Sequence, residues 1–154
     1  MLTDEIRTLI ENNSAGMVAT VNADGTPSVS PKATFLILAD DRLAFSNIRS
    51  PHTIENLKDR PAIEVCFIDV VLRKSARITG SAKYVEKSEA EPELIGKFKD
   101  IFGDYLDSMS GFVLIDVYGA EWILSPAYDL GSTEEQLRES YMSKMNNIYP
   151  DRLS

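Results

Sequence analysis

The sequence predicts a mainly β protein, a closed six-stranded antiparallel β-barrel with flanking helices, and three observations lead there. Six extended segments are rich in β-branched and aromatic residues. Short turn signals join the early ones, so neighbouring strands can pair antiparallel. Only short helices interrupt the series, giving a meander without the regular strand and helix alternation of a parallel sheet.

The elements follow in order. Leu2, Ile6, Leu9 and Ile10 recur at helical spacing behind Thr3 and Asp4, which can cap the start, so residues 1–13 form an N-terminal helix ending at Asn12-Asn13-Ser14. The barrel is assigned to residues 15–127. Met17 to Val21 is the first strand, Asn22-Ala23-Asp24-Gly25 is a hairpin turn, and Pro27 to Leu38 is a long second strand. Asp40-Asp41 turns the chain into Leu43-Ala44-Phe45-Ser46, which runs into a helix from Pro51 to about Asp59 that stops near Pro61. Ala62 to Ile68 is the fourth strand. The fifth runs from about Leu72 to Val85 with Gly80 in its middle, the mark of a bulge or a close backbone approach. Leu94, Ile95, Phe98, Ile101 and Phe102 make a helix before Gly103, and Phe112 to Leu124 is the sixth strand. Gly131-Ser132 forms a hinge before a C-terminal helix over 133–147, striped by Leu137, Tyr141, Met142 and Met145. The whole of 1–154 is expected to be a single domain, since 154 residues with 44% hydrophobic content suit one core and not two.

Composition narrows the function. With 24 acidic against 16 basic residues, a net charge of -8 disfavours nucleic acid and anionic lipid as partners. A single cysteine, Cys66, allows no intrachain disulfide and fits a reducing, cytoplasmic setting, and neither a signal peptide nor an apolar run of bilayer length is expected. The single histidine, His52, leaves a catalytic triad or a two-histidine metal site without materials, so no metal is expected and no catalytic side chain is assigned. Neither a Walker-type loop nor a Gly-x-Gly-x-x-Gly fingerprint is present.

The chemistry gathers where the third strand meets its helix, in Phe45-Ser46-Asn47-Ile48-Arg49-Ser50-Pro51-His52-Thr53. A helix N-terminus offers unpaired N–H groups and a positive dipole end, and Arg adds a planar fork of donors, so the junction suits an anion. Ser50 followed by Pro51 is equally an ordinary N-cap and N1 pair, and on this segment alone both readings stand. Neighbouring strands contribute Ser30 and Lys32 on the second and Lys74 and Ser75 on the fifth, which together could line one pocket. Lys32 and Lys74 could as well be outward-facing strand residues, and Trp122 a core residue.

These residues carry a resemblance. Asp24-Gly25-x-Pro27-x-x-Ser30-Pro31-Lys32, Leu43-x-Phe45-Ser46-Asn47, Arg49-Ser50-Pro51-His52-Thr53-x-x-Asn56-Leu57-x-x-x-Pro61 and Lys74-Ser75-x-x-Ile78-x-Gly80-x-Ala82 resemble the FMN-binding split barrel of the pyridoxamine 5'-phosphate oxidase-like superfamily, over roughly Ala15 to Ala127. The resemblance implies an FMN-binding flavoprotein, a flavin-dependent oxidoreductase acting on a small molecule. It implies a homodimer with the isoalloxazine ring between subunits. By position, Ser30 to Phe35, Pro31 and Lys32 among them, would run beside the flavin. Ser46 and Asn47 would meet its ribityl or phosphate end, and Arg49, Ser50 and Thr53 would grip the phosphate with His52 beside them. Lys74 and Ser75 would reach the flavin from the fifth strand, and Tyr118 and Trp122 from the sixth.

Two departures set the chain apart from the true oxidases. Pro51-His52 stands where they usually carry an Arg-Lys pair, which leaves the phosphate charge to Arg49, Lys32 or Lys74. Leu124-Ser125-Pro126 replaces their basic substrate-binding stretch, which argues against vitamin B6 oxidation. A non-enzymatic FMN-binding or electron-carrier module is the alternative, with a deazaflavin, haem or no cofactor in place of FMN.

Overall fold

A computed structural model describes residues 1–150; Asp151 to Ser154, the end of the expected single domain, lie outside the described residues. In chain order the elements are α1 (Asp4–Asn12), β1 (Gly16–Val21), β2 (Pro27–Lys32), β3 (Phe35–Ala39), β4 (Arg42–Asn47), α2 (Pro51–Asp59), β5 (Ala62–Asp69), β6 (Lys74–Glu86), α3 (Pro92–Phe102), β7 (Gly111–Leu124), α4 (Pro126–Asp129) and α5 (Glu134–Ile148). Short 3-10 turns, Lys87–Glu89 and Gly103–Ser108, flank α3. The architecture is mainly β and antiparallel with flanking helices, as the sequence implies.

The strand count and order differ from expectation. The described residues form seven strands, in the order β2-β1-β5-β6-β7-β4-β3, and among them the sheet is neither a six-stranded meander nor closed by hydrogen bonds. The stretch Pro27 to Leu38 is not one strand. It breaks at Ala33-Thr34, with β2 pairing to β1 at one edge of the sheet and β3 to β4 at the other. Thr34 fixes the break: its hydroxyl accepts from the Ser46 hydroxyl at 2.6 Å and from the Ser46 N–H at 3.2 Å. The sheet curls until its two edges approach. Phe35 at the start of β3 lies edge-on to Phe67 of β5 at 4.8 Å and tilted against Phe45 at 5.3 Å.

The curl has an apolar interior. Val18, Leu43, Phe45, Val65, Phe67, Ile78, Val113 and Ile115 fill it with Ile6, Leu9 and Ile10 of α1 and Ile54 and Leu57 of α2. Each fully buried Phe or Leu there contributes about 1.5–3 kcal/mol of transfer free energy. Beneath α3 a second cluster joins Leu36, Ala44, Leu94, Phe98, Met109 and Phe112, with Phe98 stacked on Phe112 at 4.5 Å. It explains why β4 is apolar on consecutive residues, since Leu43 and Phe45 face the interior and Ala44 faces α3. Gly80 meets its expectation: the β6–β7 register shifts there, and a Cβ on it would sit 2.6 Å from the Asp116 carbonyl oxygen.

On the outer face of β1, β2 and β5 no element among the described residues covers the apolar side chains. Met17, Val29 and Ile68 are 45, 60 and 46% exposed, and Met17 sits across from Pro31 and Cys66. α5 begins on a full capping box between Thr133 and Gln136 and buries only Leu137 of its apolar stripe. No helix among the described residues is long and apolar enough to cross a membrane.

Candidate anion site at the start of α2

β4 delivers the chain to the site. Its last residue, Asn47, leads through Ile48 and Arg49 to Ser50, the N-cap position of α2. Pro51 at N1 sets the helical φ and has no N–H to satisfy, and the first intrahelical bond runs from the Ile54 N–H to the Ser50 carbonyl at 3.0 Å. The N–H groups of His52 and Thr53 therefore have no acceptor within the helix. Ser50 occupies the cap position, yet its side chain makes no capping bond. The ordinary cap is thus not how this serine is used.

A cleft of about 220 Å³ opens beside this helix start, lined by Pro31, Lys32, Ala33, Thr34, Ser46, Ile48, Arg49 and Ser50. Strand alternation places Lys32 there: Ser28, Ser30 and Lys32 share the face of β2 that meets α2, and the Ser30 and Thr53 hydroxyls lie 3.4 Å apart. Among the described residues neither Lys32 nor Arg49 has a carboxylate partner. Lys32 is half-buried, and burial lowers its ammonium pKa below the usual 10.5. Two uncompensated cations and an uncapped helix N-terminus form a local positive site in a chain of net charge -8.

A network below holds α2 against the β1–β2 hairpin. Asn56, 2% exposed, donates to the Thr20 hydroxyl and to the Asn22 side-chain oxygen, both at 3.0 Å. Its own oxygen accepts from Arg60, which also binds the Val21 carbonyl at 2.8 Å. The Asn22 amide nitrogen donates to Thr26, which leaves its oxygen to accept, so His52 Nε2 bears a proton and donates to that oxygen at 2.7 Å. His52 thus faces the hairpin and is spent on fixing the helix.

The structure brings Pro31, Lys32, Ser46, Arg49 and Ser50 around one cleft, with Ser30 and Thr53 next to it. The Ser46 hydroxyl is committed to Thr34, and Asn47 bonds Ser110 and the Ser50 N–H. The other candidates lie apart from it in the same chain. Lys74 is ion-paired with Glu134 of α5, whose hydrogen bond raises the Lys74 pKa above 10.5, and it shares a cleft of about 380 Å³ with Trp122, Leu72 and α1. The Ser75 hydroxyl donates to the Ile123 carbonyl at 3.1 Å. Tyr118, 64% exposed, lines a separate cleft with Thr20, Ile63 and Thr79. Sequence reasoning placed Thr34 only within the stretch from Ser30 to Phe35, and it missed Asn22 and Ser110. Only Asn56 left a signal, a polar residue on the face of α2 that also buries Thr53, Ile54 and Leu57.

A larger cleft, about 650 Å³, lies elsewhere, between α3 and strands β3, β4, β6 and β7. Two of its three cations are already neutralised, Arg42 by Asp116 and Lys97 by Glu93, whereas neither cation of the smaller cleft has a carboxylate partner among the described residues. Among the described residues no group of three or more His, Cys, Asp or Glu is placed to hold a metal ion.

Comparison with known proteins follows this geometry. HupZ from Group A Streptococcus superposes with a TM-score of 0.70 at 26% identity, covering 81% of this chain and 96% of that one. A Clostridium acetobutylicum protein related to general stress protein 26, of the pyridoxinephosphate oxidase family, gives 0.62 at 15% identity, over 78% of this chain and 86% of that one. An FMN-binding protein from Syntrophomonas wolfei gives 0.65 at 13% identity, over 77% and 84%. At such identities the last two speak for the fold alone. Comparison with curated proteins gives no match. The family model described as Pyridoxamine 5'-phosphate oxidase matches residues 2–123, most of the chain including the whole of the anion site, and the protein belongs to that family.

Proposed function

We propose that the protein binds FMN and works as a flavin-dependent oxidoreductase on a small molecule, as a cytoplasmic homodimer. The observation that carries this reading is the pair of uncompensated cations, Lys32 and Arg49, beside the uncapped start of α2. The donor set suits a phosphate monoester: Arg49 offers a bidentate fork, Lys32 a point charge, Ser50 a hydroxyl, and His52 and Thr53 their backbone N–H groups. Ligand sites for whole molecules of this size measure roughly 300–1,000 Å³. The cleft of about 220 Å³ therefore suits the phosphoryl end of such a ligand and not the whole of it.

FMN, when bound, supplies the electron transfer, and the protein supplies binding, orientation and electrostatics. Arg49 and Lys32 would anchor the phosphate, with Ser50 and Thr53 completing the grip and Ser30 beside Thr53. Lys74, Ser75, Tyr118 and Trp122 act in this reading on the flavin of a partner subunit, which accounts for their distance from the cleft within one chain. The uncovered face carrying Met17, Val29 and Ile68 is the surface we assign to that partner. The single cysteine fits a reducing compartment.

The test is an absorption spectrum of the purified protein with and without added FMN. A flavin spectrum that titrates to one FMN per chain supports the proposal, and a colourless preparation that takes up none refutes it. Reduction by NADH or NADPH and reoxidation by an acceptor then decide whether the protein turns over or only carries electrons.

A further inference from the structure

We propose that Asn47 and Ser110 are positioning residues that hold the phosphate grip in shape, although neither side chain need touch the ligand; the inference rests on the FMN reading above. Asn47 is the last residue of β4 and pairs in register with Gly111, the first residue of β7. Ser110 is thus brought against it from 63 residues away.

The bonds between them have defined directions. The Ser110 N–H donates to the Asn47 backbone carbonyl at 2.9 Å, and the Ser110 hydroxyl donates to the same carbonyl at 3.2 Å. That hydroxyl's lone pair accepts from the Asn47 side-chain nitrogen at 2.9 Å. The amide orientation of Asn47 is fixed in consequence, and its side-chain oxygen is left to accept from the Ser50 N–H at 3.1 Å. Ser110 is held in turn by its own carbonyl, which accepts from Lys87 N at 3.0 Å.

This clasp closes a short arch, Ile48-Arg49, at both ends. Its entrance is tied through the Asn47 backbone to Ser110, and its exit through the Asn47 side chain to Ser50. Two consequences bear on the ligand. The Ser50 N–H is occupied, so the donors left for an anion are those of His52 and Thr53, further along the helix. Arg49, exposed and without a carboxylate partner among the described residues, projects from an arch whose ends are fixed. If the clasp were opened, the ordering of that arch would fall on the binding step.

The clasp acts on the phosphate alone, which gives a readout that general destabilisation cannot imitate: the ratio of FMN to riboflavin affinity. We would titrate both flavins by fluorescence into the full chain as wild type, Ser110→Ala, Ser110→Thr and Asn47→Asp. Wild type should prefer FMN. Ser110→Ala should lose roughly three- to tenfold of that preference, the equilibrium factor of one hydrogen bond, with riboflavin binding unchanged. Ser110→Thr keeps the hydroxyl and should restore the ratio. Asn47→Asp keeps the acceptor for Ser50 but loses the donor to Ser110 and should lower it. Ser110 is exposed, so its substitutions leave the fold intact if any do. A wild type that binds both flavins equally, or neither, overturns the phosphate reading. A wild type that prefers FMN, with Ser110→Ala keeping the full ratio or weakening both flavins alike, overturns the clasp and leaves that reading standing.

Discussion

Replacing Lys32 by Met should weaken FMN binding without costing stability in the absence of ligand. In the free protein the Lys32 ammonium is half-buried beside Arg49 with no carboxylate partner among the described residues, and burial holds its pKa below 10.5. Its charge is therefore a liability until an anion arrives. Met keeps most of the stem's packing and removes that liability, so unfolding without FMN should stay within about 0.5 kcal/mol of wild type or move toward greater stability. With FMN, a charge-assisted contact worth about 1.5–3 kcal/mol is lost, a weakening of roughly 10- to 160-fold. Fluorescence titration gives the affinity, thermal denaturation of the ligand-free protein gives the stability, and riboflavin is the control that should not respond. A lower melting temperature with unchanged FMN affinity would make Lys32 a structural residue and sink the assignment.

Three further outcomes are expected. FMN affinity should fall as pH rises toward 10.5 in wild type, because burial lowers the folded pKa of Lys32 and the neutral amine cannot pair with phosphate; ligand-free stability should rise over the same window, and both trends should vanish in Lys32→Met. Gly80→Ala should destabilise the protein by about 1–3 kcal/mol in urea melts, since its Cβ would sit 2.6 Å from a backbone oxygen that belongs to the β6–β7 ladder. Asn56→Leu should cost about 2–4 kcal/mol by leaving the buried Thr20 hydroxyl without its partner and removing one bond each from Asn22 and Arg60, and an unchanged melt would show the network to be dispensable.

Local signals in the sequence located α2 closely, because Pro51 and Pro61 punctuate both of its ends and the buried residues repeat at helical spacing. The β1–β2 turn was equally legible, with Gly25 at φ 84° where a side chain would be strained. The break at Ala33-Thr34 was not. Both of its arms are extended, and nothing in Pro27 to Leu38 tells which edge of a sheet each arm will join. That information sits in β1 and β4, which compete for the same stretch from opposite sides. At the site, Lys32, Arg49 and Ser50 could be nominated from their neighbours and type. The ion pair between Lys74 and Glu134 spans 60 residues and depends on where α5 docks, which no local pattern encodes. Ser110 carries no mark at all, since a serine before a glycine at a strand start is ordinary turn chemistry.

The two sheet edges joined through Thr34 also impose an order on assembly. β3 and β4 cannot take their place in the curled sheet until β7 exists, because β7 is what links β4 to β6, and Arg42 meets Asp116 across 74 residues. On a ribosome, Lys32 and Arg49 emerge early, but β7, which anchors β4 in the sheet, is the last of the described strands to be made. Such long-range pairing slows folding, and it leaves the hairpin of β3 and β4 with an unpaired edge while synthesis continues. A nascent chain halted before β7 already has Lys32 and Arg49 but lacks the strand that anchors β4 in the sheet.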